Sequence, residues 1–128
     1  MEGRANLSSE SFEAELLGAF PEVGPDLRAL MEFWGEDAPG LHIVVGDVLA
    51  PLVVNAAESG DNGRLQSVCV VMERMATSPD ERVGNALTVS LLERLGDERE
   101  RLDTARLAMG PETLALSQQI ERFWGRES

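Results

Sequence analysis

The 128 residues predict an all-α, single-domain bundle of six to seven helices. Three observations carry that reading. Apolar residues recur at helical spacing in nearly every segment, as in Leu27, Leu30, Met31 and Trp34. Proline, glycine and small polar residues punctuate the chain so that connections are about two to six residues long, as in helical domains. The one β-branched run, Ile43-Val44-Val45, has no alternating partner, and a single strand makes no sheet.

Taken in order, residues 1–7 read as a loose tail and 8–125 as the helical domain. Ser8-Ser9-Glu10-Ser11 offers hydroxyls to cap a first helix, with Phe12, Leu16, Leu17 and Phe20 inward and Pro21 as its stop. Pro25 sits in the first turn of the second helix, and Gly35 ends it. Trp34 is expected in the core at its i+7 position. Residues 36–40 form a loop.

The run 41–58 is the longest apolar stretch and reads as the central buried helix. Pro51 removes a hydrogen bond and its ring clashes with the Asp47 carbonyl, which predicts a kink or break near 47–51. Ser59 to Gly63 is a turn. A helix over 64–77 places Leu65, Val68, Cys69, Met72 and Met75 inward. The next places Val83, Ala86, Leu87, Leu91, Leu92 and Leu95 inward. These two form a helical hairpin, and the second hints at HEAT-like helix pairs, although one unit is no repeat array. A charged helix follows, with Leu102, Ala105 and Met109 inward. The last turns Leu116, Ile120, Phe123 and Trp124 toward the core, and 126–128 is tail. Phe-Trp-Gly closes a helix twice, at 33–35 and 123–125.

The formal charge is −12, and all 11 basic residues are arginine. Residues 1–63 hold 12 acids and two arginines, a net −10; residues 64–128 hold 11 acids and nine arginines, a net −2. Such a surface repels nucleic-acid phosphates and attracts basic partners. The single cysteine forms no internal disulfide. Met1 to Asn6 leads into no apolar leader segment, and the run 41–57 falls short of the ~20 residues a membrane span needs. A cytoplasmic protein is expected, with no membrane and no nucleic-acid partner.

No phosphate-binding loop, dinucleotide fingerprint or nucleophile elbow is present, and no catalytic residue, cofactor or metal ligand set is assigned. His42 is the sole histidine and reads as a helix-start residue bonded locally. Asp47 among apolar neighbours reads as a buried, hydrogen-bonded acid at the Pro51 kink, and Asn55 as a second buried polar group. Together the three make a possible buried polar site. Glu22, Asp26, Glu32, Glu36 and Asp37 form an acidic surface suited to a basic partner.

The segments Phe20-Pro21-Glu22, Trp34-Gly35-Glu36, Pro39-Gly40-Leu41-His42 with Gly46-Asp47-Val48, and Val83-Gly84-Asn85-Ala86 with Val89 to Leu95 resemble a family of small, acidic, all-helical bacterial proteins. Most are uncharacterised, and some look like immunity proteins of polymorphic toxin systems. The resemblance spans roughly 16–125 and implies a protein that neutralises a toxin-like partner. Pro51 departs from it. The expected function is therefore an immunity- or antitoxin-like binding module. A small enzyme or ligand-binding protein centred on His42, Asp47 and Asn55 is the alternative, as is a helical scaffold, and oligomeric state stays open.

Overall fold

Ser8 and Ser11 bond to one another rather than capping the first helix: the Ser11 hydroxyl accepts the Ser8 N–H at 3.0 Å. From this turn the computed structural model runs through an all-α domain, describing residues 7–35 and 40–126. Residues 1–6, 127–128 and the loop residues 36–39, including Glu36 and Asp37, lie outside the described residues. Among those described there are seven helices and no strand. They are α1 (Phe12–Ala19), α2 (Gly24–Trp34, led by a 3-10 turn Pro21–Val23), α3 (Leu41–Ser59), α4 (Asn62–Ala76), α5 (81–95), α6 (Arg99–Arg106) and α7 (Pro111–Phe123).

The core forms where the periodicity places it in α3, α4 and α5. Val44, Val45, Val48, Leu49 and Val53 of α3 meet Leu65, Val68, Met72 and Met75 of α4 and Val83, Leu87, Leu91 and Leu95 of α5, all buried. Helix α5 packs on α3, α4 and α7, and α6 closes over α3. The expected hairpin of α4 and α5 is present. By length and composition alone α3 meets the minimum for a membrane span, but half of its apolar window is buried among the other helices.

Pro51 neither breaks α3 nor kinks it to a stop. Residues Val45–Leu49 widen into a π turn, in which the Ala50 N–H bonds the Val45 carbonyl. This extra residue absorbs the steric demand of the proline ring. It leaves one carbonyl without a helical partner. Gly46 would bond Ala50 in an α-helix, but that N–H is taken, and Pro51 has none to offer. The Arg94 guanidinium from α5 fills the gap, donating to the Gly46 carbonyl at 2.6 Å. Helix α5 carries its own π turn at Thr88–Leu92, packed against the first.

The π turn also explains why the polar residues of α3 sit outside. Inward positions run Val44, Leu49, Val53 and Ala57; outward positions run His42, Asp47, Pro51 and Asn55. Each series takes one step of five and then steps of four. His42, Asp47 and Asn55 are therefore exposed, and the expected buried polar site is corrected to an exposed stripe.

Helix α7 is rotated from its expected face. Thr113, Ser117 and Glu121 point inward, while Leu116 and Ile120 are half-buried and Phe123 and Trp124 are exposed. Each buried polar group has a partner from elsewhere. The Glu73 carboxylate of α4 accepts the Thr113 N–H at 2.9 Å, the Thr113 hydroxyl at 2.8 Å and the Glu112 N–H at 3.1 Å. Arg106 donates to Ser117 at 3.1 Å. Arg126 pairs with both oxygens of Glu121, at 2.9 and 2.8 Å. Gly110 and Gly96 lie against Glu73 and Glu121 so closely that a Cβ at either position would overlap the carboxylate. Arg126, expected in a tail, is thus anchored, and Leu7 is buried.

The acidic N-terminal stretch is held down by arginines of α4 and α5. Glu10 pairs with Arg82 at 3.2 Å, Glu15 with Arg74 and Glu22 with Arg64. Arg64 also lies 5.8 Å from the centroid of the Phe20 ring. Asp80 caps α5 through the Arg82 N–H and accepts the Ser9 N–H at 2.9 Å. The Ser9 N–H, with the Arg82 guanidinium, holds its carboxyl well below the usual range. Part of the charge split seen in the sequence is therefore satisfied within the molecule.

Candidate functional surface

Helix α2 stands as a ridge between two open concavities. Its sequence carries the reason: four apolar residues at helical spacing, but only the N-terminal one finds the core. Leu27 is buried and Leu30 half-buried, while Met31 and Trp34 are 45% and 39% exposed. The expectation that Trp34 is core is corrected. Toward its C-terminal end α2 overhangs the bundle instead of packing into it.

On one side, between α1 and α2, lies a groove of about 400 Å³. Its floor is Ala14, Leu17, Leu27 and Met31, and its edges carry Glu13, Glu32 and Arg28. Leu17, expected inward, is 42% exposed here. On the other side, between α2 and α3, a second concavity of about 400 Å³ is lined by Leu30, Phe33, Trp34, Ile43 and Val48, with Asp26 and Asp47 among them. Phe33 stands edge-on to Trp34, with ring centroids 6.0 Å apart. Both concavities pair an apolar floor with carboxylates, and the first carries Arg28 as well.

The expected site residues divide accordingly. Asp26 and Glu32 are exposed and lie one on each side of the ridge. Glu22 is exposed but engaged by Arg64, and the Glu22 backbone N–H, followed by the Arg64 guanidinium, holds its carboxyl below the usual range. Asp47 lines the second concavity along with Asp26. His42 does not join them. Its Nδ1 lies 3.0 Å from the Ser90 hydroxyl of α5, a partner 48 residues away and not the local one expected. Asn55 is two helical turns beyond Asp47 on the exposed stripe. Among the described residues no three of His, Cys, Asp and Glu approach closely enough to hold a metal ion. Cys69 is buried, and burial pushes its thiol up to about 11, far from a reactive thiolate.

Sequence reasoning missed Leu17, Met31 and Trp34 as surface residues. Nothing local distinguishes them from core positions, because the spacing that makes a helix amphipathic does not say whether another helix covers the apolar face.

Fold and surface together define an all-α single-domain module with an open, apolar and acidic ridge. The chain belongs to the family described as Domain of unknown function (DUF7674), which matches residues 13–125. No curated protein and no solved structure matches the chain.

Proposed function

We propose that the protein is a non-enzymatic binding module whose α2 ridge captures a basic, amphipathic segment of a partner protein. The observation that carries this is the pair of apolar concavities beside α2, left open by the fold and edged by Glu13, Asp26, Glu32 and Asp47. A monomer seldom leaves such faces open without use. The long-range field agrees with it: residues 1–63 carry a net −10 with 12 acids, and among the described residues the ion pairs to Arg64, Arg74, Arg82 and Arg101 engage Glu22, Glu15, Glu10 and Glu58. The attraction speeds encounter, and the exposed Met31, Leu17 and Trp34 supply the buried contact that slows release. The immunity- or antitoxin-like role is the specific form of this reading. In it the partner is a toxin whose basic surface is covered, and the complex forms in the cytoplasm.

Titration of the protein with the product of the adjacent gene tests the proposal. A complex that weakens as salt rises, and weakens again in Met31→Ser and Glu32→Arg variants, is the expected result. An affinity indifferent to both salt and these substitutions rules it out.

A further inference from the structure

The concavities on the surface differ in what lines them. Those around Arg28, Arg64, Arg101 and the pair Arg94 and Arg126 each hold a cation of the protein's own among their acids. The one between α2 and α3 holds none among its described residues. Its charged side chains are two exposed carboxylates, Asp26 from one wall and Asp47 from the other. Among the described residues no arginine pairs with either, in contrast to Glu10, Glu15 and Glu22.

The rest of the lining is apolar. Asp26 lies in the first turn of α2, and Phe33 and Trp34 lie in its last, about 10 Å further along the helix. Leu30 stands between them, and Ile43 and Val48 of α3 complete the floor. Phe33 is 84% exposed and packs only edge-on against Trp34, so the ring pair borders the concavity and not the core. Asp47 rises from the π turn of α3, whose Gly46 carbonyl is held by Arg94. The second carboxylate therefore stands on a fixed helical element and not on a loop.

An occupant that suits this lining is apolar along its stem and cationic at its tip. Lysine and arginine side chains are both built so. Two features favour arginine. Its planar fork of donors can meet a carboxylate on each of two walls, which a point charge does less well. Its guanidinium is weakly hydrated and stacks on aromatic rings.

We infer that the concavity between α2 and α3 seats a single arginine side chain of the partner protein. The methylene stem lies on Leu30, Ile43 and Val48 beside the Phe33–Trp34 corner, and Asp26 and Asp47 attract the guanidinium. This rests on the basic-partner reading above and names the side chain that is read. Arg28 makes the groove between α1 and α2 the poorer seat for a cation.

The probe is the capped tripeptide leucyl-arginyl-leucine amide. It is compared with the same peptide carrying lysine, or carrying citrulline, which keeps arginine's shape and loses its charge. Binding is read from amide and indole N–H resonances of the isotope-labelled protein. The chain has two tryptophans, and Trp124 lines a different concavity, so its indole serves as an internal control. Trp34→Phe assigns the two signals.

The arginine peptide is expected to move the Trp34 indole and leave that of Trp124 in place. Citrulline is expected to bind about 10-fold more weakly, with lysine in between. In Asp26→Asn and in Asp47→Asn the advantage over citrulline should largely vanish. Glu100→Gln, the same loss of charge at an exposed site on α6, should keep it. The amide spectrum of each variant shows whether the fold is intact. Equal binding of arginine and citrulline, or an advantage untouched by both asparagine variants, overturns the seat. Lysine binding as tightly as arginine overturns the choice of side chain. Movement at Ala14 and Leu17 without Trp34 puts the cation in the other groove, which overturns this seat and leaves the basic-partner reading standing. No movement at all overturns the seat alone, because that reading is decided by titration with the adjacent gene's product.

Discussion

At the scale of single residues, this fold turns on polar groups whose partners lie far away in the chain. The Gly46 carbonyl is the plainest case. Pro51 deprives it of a helical donor, and Arg94, 48 residues on, supplies one. Arg94→Met is expected to cost about 1 kcal/mol, the worth of a partly exposed charge-assisted bond. In a Pro51→Ala background position 51 regains an N–H, the π turn closes on itself, and the same substitution is expected to cost much less. Chemical denaturation of the four proteins of this cycle measures the difference directly; equal costs in both backgrounds contradict the account of Arg94. Glu121 follows the same logic. A carboxylate 1% exposed is held in the core by the bidentate Arg126, against a glycine that leaves room for it. Neither partnership is visible in the sequence, where Arg94 and Arg126 read as surface charges.

At the scale of elements, α4 and α5 are readable from their sequence and α7 is not. The inward positions of α4 and α5 are all apolar, so spacing alone finds them. Helix α7 turns Thr113, Ser117 and Glu121 inward because Glu73, Arg106 and Arg126 meet them there, and an apolar stripe one position away misleads any reading by periodicity. Helix α3 is readable as a helix and misread in its details. The π turn shifts its register by one residue, which moves Asp47 and Asn55 from the inside to the outside.

The start of α7 yields a pH prediction. Burial raises the Glu73 carboxyl, but the N–H and hydroxyl of Thr113 and the N–H of Glu112 outweigh it and leave the group below its usual value. A depressed folded value means that the stabilisation is complete above the unfolded value, near pH ~4.3. It is lost as pH falls through the folded value. Glu73→Gln is therefore expected to lower stability at neutral pH by about 1 kcal/mol, and to flatten the acid limb of the stability profile below pH ~4.3. Thermal melts across that range check this. A variant with the natural protein's full acid dependence contradicts it.

At the scale of the whole molecule, the acidic half and the arginine-bearing half hold each other. Glu10, Glu15 and Glu22 meet Arg82, Arg74 and Arg64, so part of the negative charge of the N-terminal half docks that segment onto α4 and α5. The all-α class and the seven helices follow from the sequence's punctuation and spacing. The candidate surface follows only in part. Asp26 and Glu32 are recognisable as exposed acids, but the open grooves beside them appear only once α2 is seen to overhang the bundle. The account's central claim is that this ridge is the part of the molecule that binds. Hydrogen–deuterium exchange on the complex with the adjacent gene's product tests it most directly. The account predicts that binding protects residues 13–34 and 43–48, around α2 and its two concavities. Protection confined to α4 and α6, with α2 exchanging as in the free protein, contradicts it.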